Sequence, residues 1–175
     1  MMNLTILTYP DKRLKQISKD VAVFDAKLHQ LLNEMNKVML SSNGIGLAAI
    51  QVNFPLNILI LNIPNSDGDQ PPENLLEIIN PVIIKKNGTT SYQEGCLSVP
   101  GFYEDVDRFE TLSISYQDRH GNKKTLDADE LLSIAIQHEM DHLAGKLFIE
   151  KLSYSRRKKF EKEYKRALKE KKEEY

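Results

Sequence analysis

The sequence predicts an α+β fold, in which mostly antiparallel β-sheets pack around a buried central helix and a further helix follows at the C-terminus. Three observations support this fold class. A helix-like segment near the start is followed by strand-like segments, two more helix-like segments come after them, and strands and helices do not alternate one by one. The length of 175 residues corresponds to one domain.

The first helix is predicted by apolar residues that recur every three or four positions from Leu28 to Met39. Asp25 precedes this run and is the type of residue that caps a helix N-terminus. The small and polar residues at 41–44 should end the helix.

The central strands are predicted from two runs rich in Ile and Leu, at residues 56–63 and 77–84, with a polar loop at 64–72 between them. Residues 111–116 alternate in strand fashion. The turn-forming residues 118–122 follow and should lead into a short partner strand, so a hairpin is expected there.

Two further helices are predicted in the last third of the chain. Residues 129–144 carry helix formers on nearly all-apolar faces, with Gly145 at the C-cap position, which places this helix inside the protein. The last helix should begin near Ser153. We therefore expect residues 1–152 to form the main body of the domain and residues 153–175 to form a basic helix or tail of the same domain.

Composition excludes several classes of protein. With 41% hydrophobic and 28% charged residues and no apolar run near the roughly 20 residues of a membrane span, the chain should be a globular protein of the cytoplasm. Its start lacks a secretory apolar region, and its single cysteine, Cys96, excludes an internal disulfide. Residues 151–175 hold eleven Lys or Arg and five Glu, so a basic tail follows an acidic remainder.

The strongest chemical signal is an H-E-x-x-H sequence formed by His138, Glu139 and His142 in the predicted central helix. Positions i and i+4 share one helix face, so both imidazoles can reach a single cation. Glu139 would then act as a general base beside a water molecule activated by the metal. The structural alternative is a pair of hydrogen-bonded core histidines.

A catalytic metal usually has three protein ligands, so a third must come from elsewhere. Phe148 stands where the longer H-E-x-x-H-x-x-G-x-x-H pattern needs a histidine, and phenylalanine cannot bind a metal. A downstream glutamate, Glu161 or Glu163, is one option, although both lie among lysines. The other option is Cys96, which lies beside a glycine and binds metal as a thiolate.

A glycine-rich segment at residues 44–51, Gly-Ile-Gly-Leu-Ala-Ala-Ile-Gln, superficially fits a dinucleotide-binding pattern. That pattern should follow a strand and open a helix, whereas this segment follows a helix and should precede a strand, so we reject it. We expect an extended peptide to lie against its bare backbone. The amide of Gln51 could donate to an oxyanion, and its alternative is an exposed residue at a strand start.

Taken together, the segments GIGLAAIQ, EGCLSVP and QHEMDH closely resemble, in this order and spacing, the three motifs of bacterial-type peptide deformylases. The similarity extends from about Met2 to Leu152. The resemblance implies removal of the formyl group from the N-terminal formyl-methionine of new polypeptides. It also implies one divalent metal ion, usually Fe²⁺, although Zn²⁺, Ni²⁺ or Co²⁺ would suit the same ligands.

The same resemblance implies a role for each matching position. The expected metal ligands are Cys96, His138 and His142. Glu139 would move the proton, and the Gln51 amide with the backbone N–H of Leu97 would hold the oxyanion. The expected contacts with the peptide main chain are made by Gly44, Ile45, Gly46 and Gly95.

The resemblance also suggests binding partners, and at one position the chain differs from many members of the family. N-formylmethionyl peptides are the implied substrate, and the basic C-terminal helix would dock on the ribosome, with no sequence-specific nucleic-acid or membrane binding. Deleting residues 156–175 should therefore weaken ribosome binding but leave hydrolysis of a free formyl-peptide intact. Tyr103 occupies a position where many relatives carry arginine, and Arg108 matches a common basic position to which we assign no catalytic role.

Two other functional classes remain to be compared. An ordinary zinc peptidase would cleave a peptide bond and release no formate. A nonenzymatic, metal-stabilised module that binds the ribosome would not need Glu139 as a base. Formate release from formyl-Met-Ala-Ser and the Glu139→Gln variant separate these classes.

Overall fold

The computed structural model describes residues 2–174, and its first long element is helix α1, Ala26–Ser41. The side chain of Asp25 caps this helix by accepting a hydrogen bond from the N–H of Leu28 at 3.1 Å. The apolar residues at helical spacing, including Leu32 and Met35, are fully buried. The predicted first helix is therefore confirmed, with its N-cap.

A five-stranded antiparallel sheet forms the centre of the molecule, in the order β1-β2-β3-β6-β7. Two of its strands and the hairpin β6–β7 match the segments expected from the sequence. The strands are β1 (Gly46–Ala48), β2 (Ile58–Leu61), β3 (Leu76–Asn87), β6 (Thr111–Gln117) and β7 (Lys123–Ala128).

Strand β2 is apolar throughout because both of its faces are covered. Ile58 and Ile60 are in the core cluster that contains the apolar face of α1. Leu59 and Leu61 are in a second cluster that contains residues of helix α2, Glu130–Leu143. The sheet therefore lies between two helices, and the continuous Ile-Leu run follows from burial on both sides.

Helix α2 is the predicted central helix, and it is largely buried from Ser133 to its end. It ends at Leu143, and Gly145, just after the C-cap residue, has a φ of +75° in the left-handed region that glycine adopts without strain. A Cβ atom at this position would lie 2.4 Å from the carbonyl oxygen of Lys15. Gly145 is thus required both by its backbone angle and by the close N-terminal segment.

A separate two-stranded sheet, β4 (Thr90–Cys96) with β5 (Val99–Arg108), was not predicted from the sequence. The two strands are antiparallel and are connected by the tight turn between Cys96 and Val99. This hairpin places the single cysteine at the end of a strand, beside the central helix.

The C-terminal helix α3, Tyr154–Glu173, begins after Ser153, whose hydroxyl accepts from the N–H of Arg156. One face of this helix packs against the rest of the protein. Phe160 is 3% exposed and packs edge-on against Tyr9 and Phe102, with ring centroids 5.4 and 5.0 Å apart. These rings belong to a third core cluster, whose buried members are Leu7, Leu14, Val99, Val106, Leu147, Phe148, Ile149 and Phe160.

Short 3₁₀ helices complete the described part of the chain, at Lys12–Lys15, Ala49–Val52, Pro72–Asn74 and Phe148–Lys151. Between residues 2 and 174, no helix combines the length and the apolar character that crossing a membrane requires.

Candidate metal centre and active site

Helix α2 presents His138 and His142 on the same face, one turn apart. Both side chains are buried, with exposed fractions of 8% and 0%, and their ring centroids lie 5.0 Å apart. The H-E-x-x-H sequence thus lies in a buried helix, as predicted, and its two imidazoles point toward one place.

Cys96 reaches the two histidines from the end of β4. Its Sγ lies 3.3 Å from Nε2 of His142, and the ligand atoms of Cys96, His138 and His142 all lie within 4.8 Å of one another. A thiolate with two imidazoles is a donor set that binds divalent transition metals, and three ligands leave a fourth position open. These three residues therefore fit one divalent cation.

The downstream glutamates do not approach this group. Glu161 and Glu163 lie on α3, where they form exposed pairs with Arg157, Lys158 and Lys159. Phe148 is buried and its ring stacks on His138 with centroids 6.1 Å apart, so it packs against the site and offers no ligand atom. Of the two options for a third ligand, only Cys96 has the required position.

Behind His138 lies a buried ion-pair network that sequence reasoning missed. The carboxylate of Glu94 accepts from Nδ1 of His138 at 2.7 Å, and it also accepts from Nε and Nη2 of Arg108 at 2.7 and 2.8 Å. Nη1 of Arg108 donates to Asp141 on α2, which Lys151 also contacts at 3.5 Å. Arg108 therefore holds the carboxylate that orients a candidate metal ligand.

Charges of this network move the pKa values of the two histidines apart. Burial alone would lower the pKa of His138, but the sulfur of Cys96 and the carboxylate of Glu94 raise it well above its usual value. Burial, with the positive charge of His138 nearby, lowers the pKa of His142 well below its usual value. His142 is thus neutral and ready to act as a ligand, whereas His138 must first lose a proton.

The same ion pairs keep Glu94 ionised. Burial would raise the pKa of its carboxyl, but the hydrogen bonds from Arg108 and His138 hold that pKa below its ordinary value. A buried carboxylate with three charge-assisted hydrogen bonds is satisfied and rigid. Glu94 is therefore a fixed support for the His138 ring.

Glu139 is buried, and one of its carboxyl oxygens has no hydrogen-bond partner among the described residues. Its exposed fraction is 5%, its Oε2 makes no hydrogen bond among the described residues, and burial raises its pKa to about 7. Its Oε1 lies close to β1, because a Cβ atom built on Gly46 would be only 2.9 Å away. A carboxyl group that can exchange a proton near neutral pH thus lies at the glycine-rich strand.

Gln51 is buried and does not start a strand. It lies in the 3₁₀ helix that follows β1, and its exposed fraction is 1%. Its Nε2 donates to Oγ of Ser98 at 3.0 Å and lies 3.6 Å from Sγ of Cys96. The alternative of an exposed polar side chain is therefore wrong, and the amide reaches the sulfur of the candidate metal centre.

These groups line one cleft of about 460 Å³. Its lining includes all four residues that were expected to bind the peptide, Gly44, Ile45, Gly46 and Gly95. It also includes the other candidate site residues Gln51, Cys96, Leu97, His138 and Glu139. Tyr103 also lines the cleft, is 65% exposed, and lies so close to Gly95 that a Cβ atom there would be 2.5 Å from its ring. The cleft thus opens between β1 and the β4–β5 hairpin.

Comparison with known proteins gives a consistent assignment. The family model for polypeptide deformylase matches residues 3–158. A peptide deformylase of Helicobacter pylori (strain HPAG1) is 58% identical over 172 residues, which cover 98% of this chain and 99% of the relative.

Solved structures agree with this assignment. A peptide deformylase of Plasmodium falciparum has a TM-score of 0.87 at 36% identity, covering 96% of this chain and 97% of that one. A class I type b enzyme of Acinetobacter baumannii, solved with Met-Ala-Ser bound, has a TM-score of 0.79 at 31% identity, covering 86% and 99% of the two chains. A family match over most of the sequence and a relative this similar along its full length show that the chain belongs to the polypeptide deformylase family.

Proposed function

We propose that this protein hydrolyses the N-terminal formyl group of formyl-methionyl polypeptides and releases formate. One observation carries the proposal: the ligand atoms of Cys96, His138 and His142 lie within 4.8 Å of one another, beside the buried carboxyl group of Glu139, at a glycine-lined cleft. Met-Ala-Ser, the ligand of the Acinetobacter baumannii relative, is what formyl-Met-Ala-Ser becomes when it loses its formyl group. That ligand supports the same reaction here.

Cys96, His138 and His142 would hold one divalent cation, and we infer Fe²⁺, with Zn²⁺, Ni²⁺ or Co²⁺ suited to the same donors. When bound, such a cation supplies Lewis-acid chemistry, which polarises a carbonyl oxygen and makes water a better nucleophile. A thiolate ligand needs a reducing compartment, and we therefore propose that the protein acts in the cytoplasm.

Glu139 would transfer the proton. Its carboxylate accepts a proton from the attacking water as the water oxygen bonds to the formyl carbon. It then delivers that proton to the amine nitrogen as the C–N bond breaks, so the products are a free N-terminal amine and formic acid, which loses its remaining proton to solvent to give formate. A pKa of about 7 suits a group that must both accept and donate a proton near neutral pH.

Two donors would stabilise the negative charge that develops on the formyl oxygen. The amide of Gln51 lies 3.6 Å from the sulfur of Cys96, and the backbone N–H of Leu97 follows that cysteine directly. The substrate main chain would pair with β1 on one side and with Gly95 on the other. Gly44, Ile45 and Gly46 line this part of the cleft.

Formate release from formyl-Met-Ala-Ser tests the proposal, with unformylated Met-Ala-Ser as the substrate control. The Glu139→Gln variant should lose about 10²–10⁴-fold in turnover because the general base is gone. Elemental analysis should show the same metal content as in the wild type. The exposed Glu73→Gln serves as the control variant. Full activity in Glu139→Gln, or peptide-bond cleavage without formate, would disprove the proposal.

We also propose that residues 1–152 form the catalytic part and that residues 153–175, as a basic helix of the same domain, dock on the ribosome. The outer faces of α3 carry Lys and Arg, and phosphate-rich RNA attracts such a surface in a salt-dependent manner. Three exposed lysines, Lys162, Lys165 and Lys169, can be changed to Gln without touching Phe160.

Ribosome binding by this triple variant should be weaker than that of the wild type, with a shallower dependence on salt. The matched control changes three lysines outside α3, Lys27, Lys85 and Lys123, to Gln. Equal ribosome affinity for both triple variants would contradict the docking proposal.

A further inference from the structure

The orientation of the Gln51 amide is set by the backbone of its own segment. The N–H of Ala48 is fully buried and donates to Oε1 of Gln51 at 2.9 Å. A buried N–H requires an acceptor, so the carbonyl side of the amide must face Ala48. Nε2 therefore points to the other side, toward β4 and the turn that follows it.

On that side, the hydroxyl of Ser98 receives the amide. Nε2 of Gln51 donates to Oγ of Ser98 at 3.0 Å, and both side chains are buried, with exposed fractions of 1% and 0%. The other contact of Nε2, to Sγ of Cys96, is 3.6 Å long and hence weaker. One N–H of the amide is thus held by Ser98, and the other is the one that can turn to a substrate oxygen.

Ser98 is itself fixed by main-chain contacts. Its carbonyl oxygen accepts from the N–H of Tyr9 at 2.7 Å, and its own N–H points to Sγ of Cys96 at 3.4 Å. The N–H of Leu7 donates to the carbonyl oxygen of Gln51, also at 2.7 Å. The N-terminal segment therefore aligns Gln51 with Ser98, although the two residues are 47 positions apart.

We infer that Ser98 is a positioning residue for the reaction, which acts by holding the Gln51 amide in the orientation that presents its second N–H to the formyl oxygen. This inference rests on the proposed function and extends it to a residue that touches neither substrate nor metal. Preorganised donors stabilise a developing oxyanion because no reorientation is needed during the reaction. Without the Ser98 hydroxyl, only the contact of Oε1 with the Ala48 N–H would hold the amide. Its Nε2 end would then be placed less precisely, and part of that stabilisation would be lost.

The test compares Ser98→Ala with Ser133→Ala in the metal-loaded, full-length protein. Ser133 is an equally buried serine on α2, whose hydroxyl donates to the carbonyl oxygen of Phe109 at 3.0 Å, away from the cleft. Ser98→Ala should lower kcat by about tenfold, with KM and metal content close to the wild type. Ser133→Ala should keep the wild-type kcat. A wild-type kcat in Ser98→Ala would overturn the inference.

A double-mutant cycle shows whether the effect runs through Gln51. In a Gln51→Ala background, Ser98→Ala should cause no further loss of kcat, because the amide it positions is already absent. A further loss by the same factor would mean that Ser98 acts only on the general structure, and the inference would be wrong.

If Ser98→Ala does not fold, the variants Ser98→Thr and Ser98→Val test the inference instead. Their side chains have nearly the same shape, and only threonine carries a hydroxyl. The threonine variant should then exceed the valine variant in kcat by about tenfold, and equal rates would contradict the inference. If the proposed function itself were wrong, the wild type would release no formate. That result differs from a wrong role for Ser98, in which the wild type is active and the variants do not differ.

Discussion

The carboxyl group of Glu139 holds its proton because its surroundings are buried and one of its oxygens has no polar partner. Burial raises its pKa from 4.5 to about 7 in the metal-free protein. Such a shift corresponds to a cost of about 3 kcal/mol for the ionised form at alkaline pH. The contribution of this group to the free energy of unfolding is therefore highest below pH 4.5, where this cost is absent, and it falls as the pH rises from 4.5 through 7.

We predict that the metal-free wild type loses stability relative to Glu139→Gln between pH 5 and pH 8, by up to about 3 kcal/mol. The glutamine side chain does not ionise, so it carries no such pH dependence. Urea denaturation of both proteins across this range measures the difference in the free energy of unfolding. Parallel stability curves for the two proteins would show that Glu139 does not titrate in this range.

Individual site residues differed in how far the sequence could identify them. The sequence proposed His138 and Glu139 because H-E-x-x-H spacing suits metal chemistry, and it proposed Cys96 only in combination with that motif; the structure brings Cys96 to the two histidines. The pairing of Glu94 with Arg108 was not predicted, although Arg108 had been noted as a basic position, because two residues 14 positions apart in sequence become partners only when β4 and β5 form a hairpin. Their roles depend on tertiary structure, which no local pattern encodes.

Helix α3 shows how an element can be correctly predicted while its role is not. The sequence predicted its start at Ser153, and its basic residues suggested a helix that docks on the ribosome and is dispensable for the reaction. In the structure, Phe160 is buried against Phe102, which also lines the cleft. Deleting residues 156–175 would therefore open the third core cluster, and we no longer expect that deletion to leave the isolated reaction intact.

We predict that Phe160→Ala lowers the free energy of unfolding by about 3–5 kcal/mol, because it removes a buried aromatic ring and leaves a cavity. Tyr154→Ala, at a position on the same helix that is 78% exposed, should change it by less than about 0.5 kcal/mol. Urea denaturation of both variants gives the comparison. A similar loss in both would mean that the helix does not pack in solution as described.

The β4–β5 hairpin was missed for an identifiable reason. Its strands are mostly exposed and polar, and Gly95, Pro100 and Gly101 interrupt the alternation on which a strand prediction depends. Only Val99 and Val106 of β5 enter the core cluster as fully buried apolar residues. The central sheet, by contrast, was predicted where both of its faces are covered and its strands are rich in Ile and Leu.

At the scale of the whole molecule, the candidate metal centre joins the β4–β5 hairpin to helix α2, which the ion pairs of Glu94 and Arg108 also connect. Cys96 comes from the hairpin, and both histidines come from the central helix. A cation bound by all three residues would therefore stabilise the complete fold, because the unfolded chain does not hold these ligands together.

We predict that Ni²⁺ or Co²⁺ at about 1,000 times its Kd raises the free energy of unfolding by about 4 kcal/mol. The gain should shrink as the pH falls, because both the thiol and His138, whose pKa is raised, must lose protons to bind. Chemical denaturation with and without metal measures it. His120→Ala, at an exposed histidine, should keep the full gain, and an equal gain in Cys96→Ser would contradict the ligand assignment.

The third core cluster has a consequence for how the protein is made. It joins Leu7, near the start of the chain, with Val106 in the hairpin and Phe160 in α3. A ribosome adds residues from the N-terminus onward. Leu7 and Val106 therefore stay partly exposed to solvent until Phe160 has been synthesised and has left the exit tunnel. A nascent chain arrested before that point should be cut readily by proteases around Phe102. Phe102 also lines the cleft, so the cleft would reach its final structure only late in translation.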